Sequence, residues 1–137
     1  MRAVFEKKIT TYKGYPGRDR TIKIKFAGEI EDFWPLHDWI VGKITGYEAG
    51  YEDDILMDIT ELRQLLRSLC EIKVNNSRAD EFIPALLYNE KYFENVESAI
   101  VIIEDLIEWL NSKETKRDKD GHAVKFYEIC YRGERGK

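Results

Sequence analysis

Between Tyr88 and Ser112, apolar residues recur at three- and four-residue steps: Phe93, Val96, Ala99, Ile100, Ile103, Leu106, Ile107 and Leu110 make one stripe. That spacing predicts a helix with one face on a core. Val101, Ile102 and Trp109 widen the arc, so two sides of this central helix are expected to find partners. Asn89 or Asn95 is placed to start it, and Glu90, Glu94 and Glu97 suit its positive end. A second helix is announced by Asp58 and Glu61, whose three-residue spacing is that of a reciprocal N-terminal cap. Leu62, Leu65, Leu66, Leu69 and Ile72 line its buried face. A shorter third helix is expected around Pro35 to Ile44, where Pro35 fits a first turn and Leu36, Trp39, Ile40 and Ile44 share a side.

Elsewhere the period is two. Ala3, Phe5 and Ile9 alternate with Arg2, Glu6 and Lys8, and in TIKIKF Ile22, Ile24 and Phe26 alternate with Lys23 and Lys25. KGYPGRDR between them holds Gly14, Pro16 and Gly17, so a β-hairpin is expected, with Ile22, Ile24 and Phe26 facing inward and the lysines facing out. Near the other end, Val124, Phe126 and Cys130 fall on one side of AVKFYEICYRG, and Tyr127, Ile129 and Tyr131 on the other. Apolar residues on both faces mark an interior strand, and a bare Tyr127–Ile129–Tyr131 row would be a dimer interface. The predicted fold class is α+β: an antiparallel sheet of the N-terminal hairpin plus the C-terminal strand, Ile55–Met57 at an edge, packed by about three helices. Residues 1–137 read as a single domain, with 112–122 an exposed charged linker and 133–137 a disordered tail.

Composition changes this picture little, but charge does. The net charge of −4 hides a division: residues 1–25 carry eight basic against two acidic side chains, and residues 26–110 carry six against nineteen. A basic edge on an acidic body steers charged partners or favours self-association. The N-terminus has no signal-peptide or transit-peptide pattern and no run is long enough to span a membrane, so a cytoplasmic protein is expected. Cys70 and Cys130 form no CxxC and read as two buried free thiols.

No phosphate-binding loop, dinucleotide fingerprint, GxSxG or HExxH is present, which argues against an enzyme and against a cofactor. His37 and Asp38 are adjacent in a helical pattern and point about 100° apart, so they are no ready dyad. His37 lacks a second ligand at helical spacing, and the acidic stretch around Asp53 and Asp54 lacks the alternation of a calcium loop, so no metal is expected. Two surfaces remain. Tyr12, Tyr15, Arg18, Arg20, Lys23 and Lys25 give the hairpin cations and stacking rings suited to a nucleotide or similar anion. His37, Trp39, Tyr92, Glu94, Tyr127 and Tyr131 are candidates for a partner surface, because aromatic excess favours recognition over reaction.

LHDWIVGKI, with its His-x-Trp, the acidic loop leading into DITELRQLLRSLCEI, the entry YNEKYFENVESAIVIIEDLI and the strand VKFYEICYRG together resemble a family of small bacteriophage- and prophage-encoded proteins over about residues 27–132. His37, Trp39, Tyr92 and Glu94 are the positions that carry over. The chain differs in having EIEDFWP before the His and FIPALLY before the acidic helix entry. The resemblance bears on origin and fold; the first functional expectation is a non-enzymatic phage-type accessory protein that binds a host macromolecule in the bacterial cytoplasm through its acidic body or aromatic patch, with a possible counter-defence role. Two other expectations stand beside it: an oligomeric binder, such as a homodimer, sequestering a nucleotide-like small molecule, and a small hydrolase or transferase. With the whole chain acidic, a host protein or small anion is expected as partner rather than nucleic acid.

Overall fold

The structure is a computed structural model that describes residues 2–13, 19–31, 37, 42, 53–74 and 90–134. Its elements are β1 (Arg2–Lys13), β2 (Asp19–Glu31), β3 (Ile55–Met57), α1 (Ile59–Val74), α2 (Glu90–Asn111), β4 (Lys116–Arg117) and β5 (Ala123–Glu134). The class is α+β, with two helices among the described residues. Of the expected third helix only His37 and Gly42 are described, both helical. No helix among the described residues is long and apolar enough to cross a membrane.

All strand pairs are antiparallel. β1 lies between β2 and β5, and the far side of β5 is shared by β3, opposite Tyr131 to Ile129, and β4, opposite Lys125 and Ala123. The first and last strands of the chain are therefore neighbours. β5 continues through Gly133 and Glu134, so those two residues belong to the sheet and not to a tail. The segment 112–122 is exposed, yet it is built: β4 pairs with β5, and a turn closes the hairpin between them. In that turn the backbone N–H groups of Asp120 and His122 both donate to Asp118 Oδ1, and Gly121 takes φ +84°, a conformation that suits a residue without Cβ.

One face of the sheet is covered by the two helices. Ala3 and Phe5 of β1, Ile30 of β2, Ile55 and Met57 of β3, and Ile129 and Tyr131 of β5 form a core with Leu62, Leu65, Leu69 and Ile72 of α1 and Val96, Ala99, Ile103 and Leu106 of α2. The helical stripes are those the sequence predicts. α1 begins as the spacing requires: the Glu61 N–H donates to Asp58 Oδ1 at 2.8 Å, and the Asp58 N–H to Glu61 Oε1 at 3.2 Å. α2 is fixed at its start by Asn95, buried and donating from Nδ2 to the Glu31 carbonyl. It packs on the sheet at Gly28, where a Cβ would lie 3.0 Å from Ile102 Cδ1.

The face of β2 differs from expectation. Ile22, Ile24 and Phe26 are 41%, 47% and 60% exposed and lie on the side away from the helices, while Lys23 and Lys25 share the helix side. The cause is register. Ile24 pairs with Lys8 and Ile22 with Thr10, which alternate with Phe5 and so point outward, and an irregularity at Phe5/Glu6 reverses the alternation before Gly28 and Ile30 turn inward. The Tyr127–Ile129–Tyr131 row is likewise not bare, because it faces the helices, with Ile129 and Tyr131 fully buried. Cys130 is buried as expected, but Cys70 is exposed on α1.

The Gly28–Ile102 approach gives a packing test. Gly28→Val is expected to cost about 1–3 kcal/mol in urea unfolding, overpacking outweighing the better strand propensity. Adding Ile102→Ala is expected to cost less than its own single effect predicts, and strictly additive values would show that the two sites do not meet.

Candidate functional site: a lysine face around Tyr127 and Trp109

Alternation along β1 and β5 puts Lys7, Lys125 and Tyr127 on the helix side of the sheet, beyond the point where the core ends. There Trp109, from the last turn of α2, meets Tyr127 edge-on, the ring centroids 5.6 Å apart at 82°. Lys7 Nζ lies 5.3 Å from the Trp109 ring, and the Nζ atoms of Lys113 and Lys125 lie 5.9 and 6.0 Å from Tyr127. These are cation–π distances.

Register adds more positive charge to the same face. Lys25 on β2 stands directly opposite Lys7, Lys116 on β4 directly opposite Lys125, and Lys23 opposite Ile9, which in turn pairs with Tyr127. Like charges placed directly across a strand pair repel. Among the described residues the lysine that finds a carboxylate is Lys73, with Glu97 at 3.9 Å, and none of Lys7, Lys23, Lys25, Lys113, Lys116 or Lys125 is in an ion pair. A cleft of about 310 Å³ opens beside Tyr127, lined also by Lys113, Asn111, Thr115 and Asp58. Arg63 Nη2 donates to Asn111 Oδ1 at 3.3 Å.

The residues singled out from sequence are distributed unevenly. Lys23 and Lys25 belong to this face. Tyr12 and Arg20 pair with one another on the outer face, where Tyr12 stacks on Phe126 at 6.1 Å, so the register divides the expected anion cluster between two sides. Tyr15, Arg18, Trp39 and the side chain of Tyr92 lie outside the described residues. Glu94 is exposed on the rim of a second, acidic cleft of about 670 Å³ with Glu29 and Glu97. Tyr127 is in the lysine face. His37 and Tyr131 leave the surface: they are 3% and 0% exposed, and His37 Nδ1 shares a hydrogen bond of 2.7 Å with the Tyr131 hydroxyl. Burying a phenol costs free energy unless it is hydrogen-bonded, so this histidine satisfies the core. Lys7, Lys113, Lys116, Lys125 and Trp109 were not singled out from sequence. One signal was there: Lys7 occupies the alternation of Ala3, Phe5 and Ile9, a lysine on the apolar side of a strand.

Two other polar constellations are explained by structure. Asp118, Asp120 and His122 bring possible metal-ligand atoms within 4.8 Å. Hydrogen bonds from the backbone N–H groups of His122 and Asp120 hold the Asp118 carboxyl below its usual range, so its charge is used in shaping the turn. On the outer face Arg2 bridges Glu29 at 3.1 Å and Glu134 at 2.9 Å, while Arg132 pairs with Glu6 and with Glu134. This network ties β2, β1 and β5 together. Cys130 lies in it opposite Glu6, and burial, then the negative charge of Asp54, push its thiol up to about 11. It is no reactive nucleophile at neutral pH.

The hydrogen bond from Arg2, with the charge of Arg132, holds the Glu134 carboxyl below the ordinary glutamate range. A carboxyl depressed in the fold stabilises it above the unfolded value, and that contribution is lost as pH falls through the folded value. Glu134→Gln is therefore expected to flatten the acid limb of a stability–pH profile below about pH 4 and leave the neutral-to-alkaline limb parallel to that of the parent, read by urea unfolding across pH. Comparison of the chain with protein-family models, curated proteins and solved structures finds no match.

Proposed function

We propose that this chain is a binding protein that recognises a phosphate-bearing ligand through the lysine face, without chemistry of its own. The observation that carries this reading is the pair of directly opposed lysine couples, Lys7–Lys25 and Lys116–Lys125, on one face around Tyr127 and Trp109, none of the four in an ion pair among the described residues. A sheet optimised for stability alone would alternate signs across those positions. Here repulsion is retained where an anion would relieve it. The phage-type resemblance fits the same reading, with the ligand supplied by the host cell.

A second reading, self-association, is favoured by the exposed row Ile22, Ile24 and Phe26 on β2, an edge strand among the described residues. An antiparallel pairing of β2 with a second copy that sets Ile22 against its own counterpart places Asp19 against Lys25, opposite charges at both ends of the two-fold contact. Sedimentation velocity of the parent and of Ile24→Lys separates this homodimer from a monomer.

Replacing Lys25 and Lys116 together by Gln removes one member of each repelling couple. Stability is expected to rise by up to about 1 kcal/mol, while affinity for inorganic polyphosphate, measured by titration calorimetry, falls at least tenfold. Unchanged affinity would overturn the phosphate reading.

A further inference from the structure

We infer that the ligand of the lysine face is a single-stranded nucleic acid, lying across β2, β1, β5 and β4 with bases meeting Trp109, Tyr127 and the cleft beside it. The inference rests on the phosphate reading above and adds the identity of the ligand.

The first reason is the layout of charge. A site for one phosphate group converges its donors on a point, as a nest of backbone N–H groups or a fork of arginines does. Here Lys25, Lys7, Lys125 and Lys116 come from four strands, with Lys23 beside them on β2 and Lys113 beyond α2. Lys7 stands opposite Ile129 and Lys125 opposite Thr11, so the couples are offset by four residues along the strands; with strand spacings of about 4.8 Å and a rise of about 3.3 Å per residue, Lys25 and Lys116 end a diagonal of about 20 Å. That is a track for a chain of phosphates.

The second reason is what lies along the track. Trp109 and Tyr127 stand between the two lysine couples, half-buried and set edge-on to each other, so their rings are held in place. The rings hold Lys7, Lys113 and Lys125 beside them, and single-stranded nucleic acids combine this kind of backbone neutralisation with stacking on aromatic rings. The cleft at Tyr127 supplies a third element. Its volume of about 310 Å³ is at the small end of ligand sites, and Asn111, Thr115 and Asp58 offer it donors and acceptors that an unstacked base edge uses. Bases in a duplex are stacked inside and do not reach a cleft of this kind. Asp105 and Glu108, in the stretch of α2 that carries Trp109, are exposed and have the sign opposite to the lysines. They repel a phosphate chain from the helix and favour the sheet side.

The chain's net charge of −4 opposes nucleic acid as a whole, so binding is expected to depend steeply on salt. Six lysines contacting a single strand give a slope of log affinity against log salt of about −4. The probe is a fluorescein-labelled oligothymidylate of about ten nucleotides, followed by anisotropy. Inorganic polyphosphate, a duplex of the same length and polyglutamate serve as unlabelled competitors. Lys25→Gln is expected to weaken oligothymidylate and polyphosphate alike and to reduce the slope by about 0.7. Trp109→Leu is expected to weaken oligothymidylate about 5- to 100-fold and leave polyphosphate unchanged, with Trp109→Phe recovering most of the loss. The polyphosphate measurement reports whether each variant is folded and charged as the parent is.

Oligothymidylate competed no better than polyphosphate of equal charge, or unaffected by Trp109→Leu, would overturn the nucleic-acid inference and leave the phosphate reading standing. Stronger competition by duplex or by polyglutamate would overturn it in favour of a double-stranded or an acidic-protein ligand. Failure of both oligothymidylate and polyphosphate to bind would remove both readings.

Discussion

The pairing of β1 with β5 is the constraint on which the rest of the molecule depends. Ten consecutive residue pairs, from Arg2 opposite Glu134 to Thr11 opposite Lys125, fix which side chains of both strands look toward the helices. Phe5 meets Tyr131 there, with ring centroids 5.0 Å apart, and His37 satisfies the Tyr131 hydroxyl from the covering side. Because side chains alternate with a period of two, a slip of one residue would turn Phe5 and Tyr131 outward and bring Glu6 and Cys130 into the core. The outer-face ion pairs reinforce the same register, since Arg2 reaches Glu134 and Arg132 reaches Glu6 across it. The lysine face inherits its geometry from this pairing too: Lys7 and Tyr127 come together because their strands do.

Much of the fold is legible in the sequence because it depends on local period. The stripes of α1 and α2, the Asp58–Glu61 cap, the alternation in β1 and β5 and the edge position of Ile55–Met57 all follow from residues close together in the chain. What is not legible depends on which strand lies beside which. Ile22, Ile24 and Phe26 read as a buried row, since apolar alternation usually faces a core. Whether it does so here depends on the phase of β2 against β1 and on the irregularity at Phe5/Glu6, neither of which a single strand encodes. The same holds for the site. Lys23 and Lys25 stand out in a local window and Lys7 meets Lys25 within the β1–β2 hairpin, but Lys113, Lys116 and Lys125 come to the same face only through the pairing of β1 with β5, more than a hundred residues apart in the chain. Tyr131 looks like a surface tyrosine because its hydroxyl needs a partner, and its partner is ninety-four residues away.

Charge in this protein is separated by surface more than by segment. Around Arg2 and Arg132 the outer face interleaves Glu6, Glu29 and Glu134 so that both arginines have carboxylates, the arrangement expected of a surface patch that only needs to be stable. On the helix side the signs are segregated, with Glu94 and Glu97 bordering an acidic cleft near the start of α2 and lysines around its last turn. α2 has no basic residue in its last turn, so its negative C-terminal end points toward the lysines that follow, and Lys113 sits just beyond it. The helix dipole thereby adds to the attraction that holds Lys113 near Tyr127. The two faces thus present different physical characters on a sheet one residue thick.

The adjacency of the first and last strands also governs how the chain reaches its fold. β1 and β2 form a hairpin from residues close in sequence, whereas the contact of Arg2 with Glu134 closes a separation of 132 residues. Non-local closure of this kind is slow compared with hairpin formation, because the entropy of the intervening chain is lost before the contacts repay it. During synthesis the hairpin emerges before β5 and its strand β1 must wait for it, with one edge of β1 and the side chains of Ala3 and Phe5 open to water. Until the last strand docks, that edge is a template for any other extended chain nearby. The topology makes the newborn protein more vulnerable to association than the finished one.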